Sequence, residues 1–88
     1  MYVIYGKRKC GYCNRAVRLL QERGHAFTYY CMEETPDELL RLFTIYEWRT
    51  VPLIIQVVET NNVFIGGYDD LVKSMQIEIL EEDDQPTD

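Results

Sequence analysis

The chain has 88 residues and a formal net charge of −6, with 47% hydrophobic and 27% charged residues. That supports one hydrophobic core and one globular domain. The acidic total argues against general nucleic-acid binding, and no apolar run approaches the roughly 18 residues needed to cross a bilayer. No basic stretch precedes the apolar N-terminus, so it does not read as a signal peptide. The three cysteines, two close together and one alone, suit a redox or metal pair in a reducing compartment better than a disulfide scaffold. A soluble, cytoplasmic protein is expected.

MYVIYG (1–6) opens with the β-formers Tyr2, Val3, Ile4 and Tyr5 and stops at Gly6, which predicts a first strand. The period then changes. In GYCNRAVRLLQERGH (11–25), Cys13, Ala16, Val17 and Leu20 recur at i, i+3, i+4 and i+7 on one helical face, and Gly24 is the expected stop. AFTYYC (26–31) predicts a second strand. TPDELLRLFTIY (35–46) has Thr35 as N-cap, Pro36 at the first helical position and Asp37 and Glu38 in the first turn. Leu39, Leu40, Phe43 and Tyr46 are its expected apolar face. TVPLIIQVVETNNVFIGG (50–67) predicts two strands joined over residues 59–62, with Asn61 and Asn62 at the turn. DDLVKSMQIEIL (69–80) predicts a last helix capped by Asp69 or Asp70, with Leu71, Val72, Met75 and Ile79 inward. EEDDQPTD (81–88) has no apolar side chain and reads as a disordered acidic tail after a domain spanning 1–80.

The order is β-α-β-α-β-β-α. A β-α-β start requires a parallel pair with a right-handed crossover, and the late hairpin adds antiparallel strands. The expected fold class is therefore α/β, a four-stranded mixed sheet flanked by three helices.

Charge gathers around the cysteines. Residues 1–25 carry Lys7, Arg8, Lys9, Arg15, Arg18 and Arg23 against the single acid Glu22, while the rest of the chain holds three cations and fourteen acids. Such a patch fits something small and anionic near the thiols. Cys10 falls where the first strand meets the first helix, the end of an α/β sheet at which sites form. Unpaired N–H groups and the positive end of the helix favour a thiolate there, and Lys7 and Lys9 add to that. Cys13, a turn further on and on the core face, should be the poorer nucleophile. The asymmetry suits thiol–disulfide exchange, in which Cys10 attacks and Cys13 resolves the mixed disulfide. A zinc site is the competing reading, because Cys10, Cys13, His25 and Cys31 supply the four ligands that tetrahedral zinc needs. Against it, His25 and Cys31 would flank the second strand at opposite ends, roughly 17–20 Å apart.

CGYC at 10–13, TVP at 50–52 and GGYDD at 66–70, in this order along these elements, resemble the glutaredoxin family over residues 2–80. The resemblance implies a thioredoxin-like fold and a glutathione-dependent oxidoreductase acting on protein disulfides and glutathione mixed disulfides. By that resemblance Cys10 is the nucleophile and Cys13 the resolving thiol. Lys7 matches the basic residue that contacts a glutathione carboxylate, and Tyr12 the aromatic beside the active thiol. Thr50 and Val51 lead to Pro52, which resembles the family's cis-proline, and the backbone of Val51 would pair with glutathione like an added strand. Gly66 and Gly67 lead to Asp69 and Asp70. Backbone N–H groups there would take the γ-glutamyl carboxylate, and an Asp its ammonium group, with Asp70 at the family's usual acid position.

Gly11 stands where the commonest dithiol centre has proline. It also resembles members that hold a [2Fe–2S] cluster between two chains through the nucleophilic cysteine, here Cys10, and glutathione. Trp48 stands where monothiol iron–sulfur members have a tryptophan, although Tyr12 and Cys13 are not their Phe-Ser. For a second cationic contact the candidates are Arg41 and Arg49. Cys31 reads as a small half-buried residue, with a third reactive thiol as the alternative, and His25 as a turn residue. A thioredoxin-type donor reduced by a flavoprotein reductase would share the fold. Lys7 and the GGYDD segment favour glutathione. The implied partners are glutathione and disulfide-containing or glutathionylated proteins, ribonucleotide reductase among the candidates. No nucleic-acid or membrane partner is expected, and the chain is expected to act as a monomer.

Overall fold

The computed structural model describes residues 1–83, with side chains described as far as Met75. Of the expected acidic tail, 81–83 continue the last helix and 84–88 lie outside the described residues, as does the side chain of Ile79. The elements are β1 (Tyr2–Gly6), α1 (Gly11–Glu22), β2 (Phe27–Cys31), α2 (Pro36–Tyr46), β3 (Leu53–Val58), β4 (Asn61–Gly66) and α3 (Tyr68–Asp83). They form one sheet in the order β2-β1-β3-β4, with β1 parallel to β2 and antiparallel to β3, and β3 antiparallel to β4. This is the expected element order and mixed sheet.

Side chains alternate between the faces of a strand, and the two faces are packed differently. Toward α1 and α3, Tyr2 and Ile4 of β1 join Ala16, Leu20, Ile54, Leu71 and Met75 in the main core. Burying a side chain such as Leu20 or Leu71 contributes about 1.5–3 kcal/mol. The other face is aromatic. Tyr46 of α2 stacks on Phe64 of β4 with ring centroids 4.9 Å apart, and Trp48 meets Phe64 edge-on at 5.3 Å. Tyr5 and Tyr30 stack at 5.5 Å. Burial raises the Tyr5 hydroxyl pKa above its ordinary value, with Tyr30 and Tyr46 adding to the shift.

α1 ends as its glycine predicts. Gly24 has φ 75, its N–H donates to the Gln21 carbonyl at 3.1 Å, and the His25 N–H donates to the Leu20 carbonyl at 2.9 Å. This pair of bonds is a Schellman motif, and the left-handed residue it needs is cheapest as glycine. Thr35 is the N-cap of α2 and Pro36 follows it, but the Thr35 hydroxyl makes no cap bond and lies 3.8 Å from Met32 Sδ.

Three expectations are corrected. The hairpin turns at Glu59 and Thr60, with Glu59 at φ 57, and Asn61 and Asn62 already pair in β4 with Val58 and Val57. This register sets Phe64 opposite Ile55 on the aromatic face and Ile65 against the main core; a one-residue slip would exchange them. On α2, Leu40 is 61% exposed. Leu39, Phe43 and Tyr46 share one stripe at i, i+4 and i+7, and Leu40 is rotated off it. α3 starts at Tyr68, so neither Asp69 nor Asp70 is its cap. Gly67 has that place, its carbonyl accepting from the Leu71 N–H at 3.0 Å. Asp70 reaches back to accept from the Gly67 N–H at 3.0 Å, as the third residue of a capping box does.

Candidate functional site: a dithiol centre beside a groove

Cys10 is the N-cap of α1, with extended backbone at φ −108 and ψ 112. Its Sγ accepts from the Cys13 N–H at 3.2 Å, and its carbonyl takes the first helical bond, from the Asn14 N–H, at 3.0 Å. The two cysteines form a disulfide with their Cα atoms 5.2 Å apart. Cys10 is half-buried and Cys13 fully buried, in line with Ala16 and Leu20 on the core face. The sulfur that ends up at the helix start is thus the reachable one, and the positive end of α1 favours negative charge on it.

Gly6 makes this fit possible. A Cβ there would lie 2.7 Å from Cys13 Sγ and would also meet the Tyr29 hydroxyl. Tyr29 donates to the Lys7 carbonyl at 2.8 Å, which ties the loop between β1 and α1 to strand β2. Burial raises the Tyr29 pKa, and Cys31 and Glu33 nearby raise it further, so the hydroxyl keeps the proton it donates.

On one side of the dithiol lies a groove of about 430 Å³, lined by Tyr12, Trp48, Thr50, Val51, Pro52, Gly67, Tyr68, Asp69 and Asp70. The Val51–Pro52 peptide bond is cis. Gly66 is held at φ 121, and a Cβ on it would run into the Asp70 carboxyl. Glycine is what lets Asp70 fold back over the chain at this point. Trp48 closes the floor, its Cζ2 3.4 Å from where a Cβ on Gly67 would stand, and its Nε1 is buried without a hydrogen-bond partner among the described residues. At the rim Tyr12 is 55% exposed, with Tyr68 6.0 Å away and the Arg15 guanidinium 5.1 Å over its ring.

The structure therefore brings Tyr12, Thr50, Val51, Pro52, Gly67, Asp69 and Asp70 into one groove, from three distant stretches of sequence. Trp48 and Tyr68 join them; Trp48 lies two residues before Thr50, and Tyr68 sits inside the GGYDD motif. Lys7 is not in the groove. It lines a second cleft of about 260 Å³ on the opposite side of the dithiol, with Arg8, Asn14, Val17, Phe27, Tyr29 and Cys31. The Tyr29 bond to the Lys7 carbonyl holds that stretch against β2. Arg41 and Arg49 are exposed and line neither depression. Cys31, expected to be half-buried, is an exposed free thiol, because it is the last residue of an edge strand. His25 stands beyond the other end of β2, edge-on to Tyr2 at 5.3 Å. Among the described residues no three His, Cys, Asp or Glu side chains come together as a metal site would require.

The glutaredoxin family model matches residues 2–59. A probable glutaredoxin of Acanthamoeba polyphaga mimivirus is 30% identical over 90 residues, covering 91% of this chain and 82% of that protein. The chain belongs to the glutaredoxin family. Among solved structures, a dithiolic glutaredoxin from Trypanosoma brucei brucei matches with a TM-score of 0.70 at 30% identity, over 92% of this chain and 82% of that one. A buckwheat glutaredoxin solved as its glutathione complex shares the fold, with a TM-score of 0.74 at 24% identity over 92% and 73% of the two chains. The fold is thioredoxin-like, and the dithiol pair on it is that of a thiol–disulfide oxidoreductase.

Proposed function

We propose that this glutaredoxin draws its electrons from glutathione and reduces both glutathione mixed disulfides and protein disulfides. The groove carries the reading, because it opens beside Cys10, the reachable sulfur of the dithiol, and its volume lies within the range of small-molecule sites. In the proposed pose the backbone of Val51 pairs with the glutathione backbone. The N–H groups at the start of α3 face the γ-glutamyl carboxylate. Asp69 is the carboxylate open to the ammonium group, while Asp70 gives one oxygen to the Gly67 N–H and holds the turn.

The Cys10 thiolate attacks the glutathione sulfur of a mixed disulfide. The Cys10–glutathione bond forms as the substrate's S–S bond breaks, and the released thiolate takes a proton from solvent. A second glutathione then attacks, leaving oxidised glutathione and reduced Cys10. On a protein disulfide, Cys10 bonds to the partner and Cys13 displaces it, which closes the Cys10–Cys13 disulfide and releases the partner's second thiol. In the reduced centre Cys10 is the residue that would ligate a [2Fe–2S] cluster held with glutathione, and no step is routed through one. A reducing compartment such as the cytoplasm belongs to the same proposal, and ribonucleotide reductase is a client to test directly.

The test is turnover of a glutathione mixed disulfide by the purified protein with glutathione, glutathione reductase and NADPH. Cys10→Ser should abolish it. Cys13→Ser should retain it and lose only protein-disulfide reduction. Equal loss of deglutathionylation in both variants would overturn the assignment. One observation favours a second reading: no Lys or Arg lines the groove to meet glutathione's carboxylates. A donor reduced by a flavoprotein thioredoxin reductase would need no such cation, and reduction by that enzyme with none by glutathione would select it.

A further inference from the structure

The cations that the sequence gathers around the cysteines stand mainly across the dithiol from the groove. Lys7 and Arg8 line the second cleft with the Asn14 amide, over an apolar floor of Val17 and Phe27. Arg18 lies one helical turn beyond Asn14, exposed, and Lys9 adjoins Cys10 with φ 52. Arg8 is shared with Glu33 at 3.7 Å and Glu34 at 3.1 Å, both surface contacts. Lys7, Lys9 and Arg18 have no ion pair among the described residues. The groove lining, by contrast, has Asp69 and Asp70, with the Arg15 guanidinium over the Tyr12 ring at its rim.

We propose that the cleft at Lys7, Arg8 and Asn14 is a docking subsite for acidic side chains flanking the disulfide of a protein partner. The inference rests on thiol–disulfide exchange at Cys10. A polypeptide bonded to Cys10 must cross the centre, with one side over the groove and the other over this cleft. Acidic residues are repelled on the first side and attracted on the second, so charge sets both the choice of partner and its direction across the site. Cys10 attacks one partner sulfur, the Cys10–partner bond forms as the partner's S–S bond breaks, and the freed thiolate is protonated by solvent. The chain's overall negative charge disfavours a nucleic acid as the occupant.

The test uses the reduced full-length chain without glutathione and three peptides sharing one disulfide, flanked by Glu, Gln or Lys. The second-order rate of mixed-disulfide formation at Cys10 should be about tenfold higher for the Glu than for the Lys peptide at low salt, and the ratio should shrink toward one at 1 M salt. Lys7→Gln with Arg8→Gln should cut that ratio to about twofold, whereas Lys7→Arg with Arg8→Lys should keep it. Equal rates for the three peptides, a ratio insensitive to salt, or no reaction with any peptide would overturn the proposal. So would a single-stranded oligonucleotide that competes as well as the Glu peptide. Glutathione turnover is scored separately on the small mixed disulfide, so loss of glutathione dependence and loss of charge preference are read apart.

Discussion

The groove wall of the dithiol centre is assembled from separate stretches of chain: Tyr12, Trp48 with residues 50–52, and residues 67–70. The opposite wall draws on the loop before α1, one face of α1 and the edge strand β2. The first wall stands on the main core, because α3 is anchored by the fully buried Leu71 and by Met75. The second has an apolar floor of Val17, Phe27 and Tyr29 packed on the same core, but adds the exposed Lys7 and Arg8, on a loop held to β2 by one tyrosine hydroxyl. One wall can therefore keep a fixed shape, as a small ligand requires, whereas the other offers long side chains that adapt to varied polypeptides. In the proposed function the same dithiol serves both, because Cys10 sits on the seam between them.

That difference can be broken from either side. Leu71→Ala should have the largest effect, a loss of about 2–5 kcal/mol of stability measured by urea unfolding, with the groove wall failing first. On the other wall Arg18→Gln should change stability by less than about 0.5 kcal/mol. A comparable loss in both would mean that the walls do not differ as described. Next comes Gly66→Ala, which puts a Cβ into the Asp70 carboxyl at a φ that side chains rarely adopt. It should cost about 1–3 kcal/mol and raise the KM for glutathione, with the mixed-disulfide assay as the readout.

Tyr29→Phe should cost less than Gly66→Ala, about 0.5–1.5 kcal/mol, since it removes one hydrogen bond to the Lys7 carbonyl. It also carries a pH signature. Burial holds the folded-state pKa of Tyr29 above its ordinary value of 10.0, so its contribution is intact below pH 10 and is lost as pH rises through the folded value. Stability should therefore fall above pH 10, and less steeply in Tyr29→Phe; an unchanged alkaline slope would remove Tyr29 from that account. Tyr5, raised mainly by burial, should leave a residual alkaline slope in the variant.

Much of the architecture is local and was legible for that reason. The i, i+3, i+4, i+7 spacing of Cys13, Ala16, Val17 and Leu20 places Cys13 inward, and a strand ending at Gly6 followed by a helix places Cys10 at the cap. Gly24 and Pro36 punctuate helices through their own backbone preferences. Where the local signal had two solutions, reading it failed. Asn61 and Asn62 are good turn residues, but strand register, enforced by Phe64 and Ile65 facing different layers, moved the turn to Glu59 and Thr60. Leu39 and Leu40 are equally apolar, and only packing chose between them.

The site divides in the same way. Local sequence alone places two thiols one helical turn apart, the first at a helix cap, and surrounds them with positive charge. Both follow from neighbours along the chain. Tertiary structure alone decided that residues 50–52 and 67–70 meet beside Tyr12, because that depends on β3, β4 and α3 closing on the sheet. It alone decided that Lys7 lines the other cleft, where a hydrogen bond from Tyr29, 22 residues away in sequence, holds its carbonyl to β2. A charge count carries no direction, and the side of the disulfide on which each cation stands is set by contacts that link distant parts of the chain.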